Sequence, residues 1–73
     1  MSPDKLAYMA NQIGQFFAHQ PHDKAVAAIE LHLRRFWDPR MRAGIVAQPD
    51  GETVRLSPWV REAVDRLTAR LPT

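Results

Sequence analysis

The chain contains no cysteine among its 73 residues. This absence excludes disulfides, thiolate zinc sites and cysteine-ligated iron–sulfur clusters within it. Small exported domains usually depend on disulfides, so we expect a cytoplasmic protein. The first residues lack the charged segment and apolar run of a signal peptide, and no stretch approaches the roughly 18 apolar residues of a membrane span. A membrane role is therefore not expected.

Groups suited to catalysis or metal binding are also scarce. Serine occurs only at positions 2 and 57, each time before a proline, where a helix cap explains it. There is no glycine-rich phosphate loop. Of the three histidines, His19 and His22 are separated by Pro21, which breaks the helical register between them, and His32 lies further along the chain. We therefore predict no catalytic site, no metal and no cofactor bound by this chain.

The spacing of apolar residues predicts an all-α fold. We expect three amphipathic helices and one short helix, packed as a single helical domain over residues 1–73. A chain of this length buries only about 60% of its unfolded surface on folding. Such a small core makes a stabilising partner plausible on physical grounds.

The first helix is predicted to begin with Ser2 as its cap and Pro3 in its first turn, and to end before Pro21. Its predicted core stripe consists of Leu6, Met9, Ala10, Ile13, Phe16 and Phe17. Beside the stripe runs a ridge of small residues: Ala7, Asn11, Gly14 and Ala18. Because glycine inside a helix costs about 1 kcal/mol relative to alanine, Gly14 needs a structural reason. The ridge packs either against another helix of this chain or against a partner.

The second helix is predicted to be capped by His22 or Asp23 and to end at Asp38-Pro39. Its predicted stripe consists of Val26, Ile29, Leu33, Phe36 and Trp37. Asp38 then caps a short third helix that begins at Pro39 and ends near Ala47. Asp38 and Pro39 together fix a corner between the two helices.

The last third of the chain begins with a turn, "QPDGE", and an extended linker, "TVRL". Ser57 and Pro58 start the last helix, which Pro72 is predicted to end. The predicted stripe of this helix consists of Val60, Ala63, Val64, Leu67 and Leu71. Glu62 and Arg66 are spaced to form an ion pair on its surface.

An arginine-rich segment surrounds the predicted corner. Between Arg34 and Arg42 there are four arginines and only one acidic residue, Asp38. Glu30 lies four residues before Arg34 and partly balances it. We predict a partner-binding surface that consists of Trp37, Arg35, Arg40, Arg42 and Leu31. Gly14 and Asn11 are predicted to have structural roles. Three interpretations stay open: a solvated rim around a core tryptophan, a contact with an acidic protein or an anionic cofactor, and a nucleic-acid contact.

Several motifs resemble one known family. "MANQI" at Met9–Ile13 is followed by the pair Phe16–Phe17, a Pro21–His22 link, and "FWDPRM" at Phe36–Met41. Together they resemble the small delta subunit of bacterial NAD-dependent, molybdenum-containing formate dehydrogenases. The resemblance covers about residues 5–43, and the segment after Gly44 matches only in kind.

The resemblance implies a non-catalytic accessory subunit of a cytoplasmic enzyme that oxidises formate with NAD. Its partner would be the large catalytic (alpha) subunit, and through it the beta and gamma subunits. The other subunits would carry the bis-molybdopterin guanine dinucleotide, the iron–sulfur clusters and FMN. The delta subunit would support assembly, cofactor insertion or stability of the complex.

Two alternatives come from the residues alone. With a formal net charge of +2 and its clustered arginines, the chain is compatible with a small basic helical regulatory module that binds nucleic acid. It is also compatible with a bundle that associates only with itself. We regard nucleic acid as the less favoured partner, because the charge forms one short cluster.

Overall fold

The computed structural model describes residues 1–70, which form four α-helices joined by short connections. These are α1 (Pro3–Phe17), α2 (His22–Phe36), α3 (Pro39–Ala47) and α4 (Pro58–Arg70). The predicted all-α fold is confirmed, including the short helix after the Asp38-Pro39 break. Two residues assigned to the end of the last helix, Leu71 and Pro72, lie outside the described part of the chain.

Local sequence signals set the starts of α1 and α3. The Oγ of Ser2 accepts a hydrogen bond from the backbone N–H of Lys5 at 3.1 Å. In the same way, Oδ1 of Asp38 accepts from the backbone N–H of Met41 at 2.9 Å. A proline follows each cap, at a position where the missing N–H costs no helical hydrogen bond.

The predicted cap of α2 is wrong. The helix begins at His22, and its N-cap is Pro21, which provides no side-chain hydrogen bond. Pro21 has extended backbone torsions, and its carbonyl accepts the first helical bond, from Ala25, at 2.8 Å. His22 and Asp23 are therefore already inside the first turn, where their side chains do not act as the cap.

The core forms where α2 packs against α4. The inner residues of both helices are at most 1% exposed: Val26, Ile29, Leu33, Val60, Ala63, Val64 and Leu67. These residues belong to the predicted stripes; Trp37 of the α2 stripe is also in the core, whereas Phe36 is not. Ile45 from α3 and Leu56 from the connection before α4 complete the same cluster.

The predicted orientation of α1 is partly wrong. The residues that it buries are Leu6, Ala7, Ala10 and Gly14, whereas Phe16 is 72% exposed. The reason is the close approach of α1 to α4, since a Cβ at Gly14 would overlap Cγ2 of Val60. Only small side chains fit at this contact. Ala7 and Gly14 thus pack against their own chain, as one of the two alternatives predicts.

The connection between α3 and α4 contains no helix or strand over residues 49–57, as predicted for the linker. It is held by the carboxylate of Asp4 on α1. Oδ1 accepts backbone N–H groups from Glu52, Thr53 and Val54 at 2.7, 2.8 and 3.2 Å. Oδ2 accepts the hydroxyl of Thr53 at 2.8 Å. These bonds stabilise the charged form, and the backbone bond from Thr53 contributes most to lowering the pKa of Asp4 to about 2.

A second contact from α1 holds the end of the same connection. The amide Nδ2 of Asn11 donates to the carbonyl of Arg55 at 2.8 Å, and its Oδ1 accepts from the backbone N–H of Ser57 at 2.9 Å. Asn11 therefore satisfies two backbone groups of an irregular segment. It belongs to the ridge of small residues but interacts through its polar group.

Candidate protein-binding surfaces

Of the two aromatic residues at the end of the predicted α2 stripe, Trp37 is buried, as the stripe predicts, whereas Phe36 is exposed. The indole of Trp37 is only 5% exposed and belongs to the core, whereas Phe36 is 73% exposed. The cause is the end of α2: Trp37 is its C-cap and has extended backbone torsions, φ −83° and ψ 137°. The helical spacing that predicts a shared stripe therefore stops at Phe36. The expectation that the indole projects outward to a partner is wrong.

Arg42 on α3 stabilises the corner between α2 and α3 by binding the end of α2. It is half-buried, and its Nη1 donates to the carbonyl of Trp37 and, at 3.2 Å, to that of Arg34. The last carbonyls of a helix lack intrahelical partners, so these bonds satisfy the end of α2. Arg42 thus has a structural role beside the partner contact predicted for it.

The other residues predicted for partner binding lie at the surface. Arg35 and Arg40 are exposed, and Leu31 is 39% exposed. Arg35 and Leu31 lie beside a groove next to α4, while Arg40 lies beside a separate depression near Met1 and Leu6. The structure therefore does not bring Arg40 into one surface with Arg35. Their contact with a partner stays a prediction.

A row of aromatic rings covers the outer side of α1 and α2. We call it the aromatic surface and define it as Met9, Ile13, Phe16, Phe17, His32 and Phe36. The ring centroids of Phe16 and Phe17 are 5.0 Å apart in an edge-to-face arrangement. His32 lies 6.4 Å from Phe17 and 4.8 Å from Phe36, so the rings run without a break from one helix to the other.

The aromatic surface contains an open depression of about 390 Å³. Its lining comprises Met9, Gln12, Ile13, Phe16, Phe17, His32 and the edge of Trp37. Contiguous apolar surface of this kind marks interaction sites more often than scattered exposed side chains do. The lining has no aspartate, glutamate, lysine or arginine, so it suits an apolar side chain of a partner.

Sequence reasoning missed the aromatic surface because it assigned the phenylalanines to the core. A signal was present in the two adjacent pairs, Phe16–Phe17 and Phe36–Trp37. Adjacent residues on a helix point about 100° apart, so one member of such a pair tends to lie away from the centre of a narrow core.

A second surface, between α2 and α4, is rich in arginine. We call it the arginine groove, and its charged residues are Glu30, Arg34, Arg35, Arg42, Arg66 and Arg70. Two depressions of about 640 and 520 Å³ form it, and both are lined by Leu31, Arg34 and Arg70. Arg66 and Arg70 come from α4, so helix packing brings them to the arginines of the predicted corner.

Glu30 lies at the floor of the arginine groove and is only 3% exposed. Its Oε2 is 3.2 Å from Nε of Arg34, which confirms the predicted pair, and 2.5 Å from Nε of Arg70. Within residues 1–70 no N–H meets this oxygen in hydrogen-bond geometry, so the contacts are ion pairs. A buried carboxylate without opposite charge would be costly, and two guanidinium groups provide that charge.

Over the described range, 1–70, no three histidine or carboxylate side chains lie close enough together to hold a metal ion. The sequence provides no thiolate for an iron–sulfur cluster. In the same range, every helix is too short or too polar to cross a bilayer.

Comparison with known proteins gives one match. The model of a family described as NADH-dependant formate dehydrogenase delta subunit FdsD matches residues 5–64. Searches of curated proteins and of solved structures gave no match. The matched span contains the whole aromatic surface and the α2 and α3 residues of the arginine groove, while Arg66 and Arg70 follow it.

Proposed function

Because this chain belongs to the family of NADH-dependent formate dehydrogenase delta subunits, we propose that it is a non-catalytic subunit that binds the large catalytic subunit of that enzyme. The observation that carries the proposal is the aromatic surface. A subunit must cover part of its partner, and this chain exposes Phe16 and Phe36 at the two ends of a row of rings that passes through Phe17 and His32. A depression lined by residues of α1 and α2 lies in the same surface.

The energetics of the aromatic surface favour a protein partner. Full burial of a phenylalanine side chain contributes about 1.5–3 kcal/mol, and aromatic residues are prominent at the centres of protein interfaces. Phe16 and Phe36 are each more than two-thirds exposed, so most of this free energy is available on binding. The expected counterpart is an apolar patch on the catalytic subunit.

The proposed role is structural. The chain supports assembly, cofactor insertion or stability of the cytoplasmic complex, and it reaches the beta and gamma subunits through the catalytic subunit. The bis-molybdopterin guanine dinucleotide, iron–sulfur clusters and FMN of the complex are held by those other subunits. The absence of cysteine supports this assignment for the clusters.

Purification of the formate dehydrogenase from cells with and without this chain tests the proposal. We expect the tagged catalytic subunit to retain the chain, and we expect a lower yield of molybdenum-loaded, active enzyme when the chain is deleted. Re-expression of the chain should restore the yield. A catalytic subunit that never retains the chain, and that matures to full activity without it, would contradict the proposal.

A further inference from the structure

We propose that the arginine groove binds an acidic segment of the catalytic subunit, whose carboxylates pair with the arginines while an apolar side chain packs on Leu31. This inference rests on the proposed function for the identity of the partner. The groove is separate from the aromatic surface, and the two have no lining residue in common. The chain would thus contact its partner at two places of different chemistry.

The first argument is charge. The groove has five arginines and one carboxylate of its own, the buried Glu30, and a second carboxylate, Glu62, lies 3.6 Å from Arg66 beside it. The groove therefore has an excess of three positive charges, more than the formal net charge of +2 of the whole chain. The positive charge of the protein is concentrated in this groove, and the rest of the chain is slightly acidic. A complementary segment must be acidic.

The second argument is the number of free donors. Arg34 and Arg70 each approach Glu30 with Nε. A guanidinium group has five N–H donors, so this contact leaves the terminal Nη groups for another acceptor. A single carboxylate between two guanidinium groups also leaves one positive charge unbalanced. Glu30 therefore positions two arginines for a second carboxylate, which they can bind in a bidentate geometry.

The third argument is the apolar part of the groove. Leu31 is 39% exposed and lies in both depressions, with Ala27 and Ala69 at one end. An apolar contact surrounded by arginines suits a polypeptide with one apolar side chain among acidic ones. Nucleic acid fits less well. No aromatic residue lines the described groove for base stacking.

The test is the affinity of the full chain for the purified catalytic subunit, measured by biolayer interferometry at about 50 and about 300 mM salt. The groove variant is Arg35→Glu with Arg66→Glu, which leaves the two arginines that balance Glu30 in place. The matched control is Lys5→Glu with Lys24→Glu. It has the same net charge, and both lysines are exposed, lie outside the groove, and occupy first helical turns where an acidic residue is favourable.

We expect the groove variant to bind at least about tenfold more weakly at low salt, with a smaller loss at high salt, because exposed ion pairs are screened. The control should remain within about twofold of the wild type. Arg35→Gln, a milder change at an exposed site, should give a smaller loss in the same direction. Circular dichroism on each variant establishes that the helices are retained.

Equal affinities of the groove variant and the control would overturn this inference while the proposed function stands. Failure of the wild-type chain to bind the catalytic subunit would instead overturn the proposed function, and this inference with it. A third arm titrates the chain with a labelled single strand and a labelled duplex of DNA. Tight, salt-sensitive binding of DNA by the wild type that is lost in the groove variant would assign the groove to nucleic acid. It would overturn the proposal that the groove binds an acidic segment.

Discussion

The two faces of α1 differ in the size of the side chains that they present and in where those side chains lie. The buried face has three small residues, Ala7, Ala10 and Gly14, together with Leu6 near the start of the helix. The other face belongs to the aromatic surface and leaves Phe16 72% exposed. An amphipathic helix usually places its large apolar residues in the core. Here the distance between α1 and α4 decides the orientation, because a close approach admits only small side chains.

In the proposed function, the exposed face of α1 contacts the catalytic subunit. The buried face makes the closest contacts within the chain; on the other face Met9, Ile13 and Phe17 are half-buried against the core, and Phe16 is exposed. The same division continues on α2, where Trp37 is buried beneath the aromatic surface and Phe36 lies on it. Substitutions on the two faces should therefore affect different properties, with folding on one side and partner binding on the other.

The largest effect on folding is expected for Trp37→Ala. Removing a buried indole leaves a cavity, and such changes cost about 3–5 kcal/mol. The neighbouring Phe36→Ala should change the free energy of unfolding by less than about 0.5 kcal/mol, since its ring lies at the surface. Denaturant unfolding of the isolated chain measures both values. Equal losses from the two substitutions would show that the division between core and surface at this pair is incorrect.

The next largest effect is expected for Gly14→Ala. Helix propensity alone favours alanine by about 1 kcal/mol, but overlap with Val60 costs about 1–3 kcal/mol. We expect net destabilisation in the wild-type background, and stabilisation or no change when Val60 is replaced by alanine. A double-mutant cycle separates the two terms. If Gly14→Ala stabilises the wild-type chain, the close approach of α1 to α4 is not what requires glycine.

A pH-dependent effect is expected for Asp4, which holds the start of α1 against the connection leading to α4. Its pKa is lowered from 3.8 to about 2 in the folded chain. The group therefore contributes stability that is present above pH 3.8 and is lost as the pH falls towards 2. We expect Asp4→Asn to lower the melting temperature at pH 5, with a gap to the wild type that narrows at pH 2. A gap independent of pH would show that the charge does not matter.

The smallest effect on folding is expected for Phe16→Ser. The ring lies at the surface and contacts Phe17 at its edge, so the free energy of unfolding should change by less than about 0.5 kcal/mol. Thermal melts of the isolated chain provide the measurement. A loss comparable to that of Trp37→Ala would place Phe16 in the core in solution and remove the basis for the aromatic surface.

Much of the fold could be predicted from the sequence because the relevant signals are local. Ser2 and Asp38 each accept a backbone N–H within their own first turn, and a proline follows each of them. The buried faces of α2 and α4 follow directly from their apolar spacing, because these two helices form the centre of the core.

The binding surfaces could not be predicted in the same way, because they depend on contacts between distant segments. The orientation of α1 depends on how closely it approaches Val60, and the orientation of Trp37 depends on the extended torsions at the end of α2. The arginine groove combines Arg34 and Arg35 with Arg70 from α4. Spacing along the chain does not contain that information.

The central claim is that the aromatic surface binds the catalytic subunit of the formate dehydrogenase. The affinity of the double variant Phe16→Ser, Phe36→Ser for that subunit tests it most directly. Tyr8→Ser, at an exposed aromatic residue outside both the aromatic surface and the arginine groove, serves as the control for general loss of apolar area. We expect the double variant to keep its stability and to bind at least about 100-fold more weakly, since burial of the two rings on binding contributes about 3 kcal/mol or more. A double variant that binds as tightly as the wild type would contradict the account.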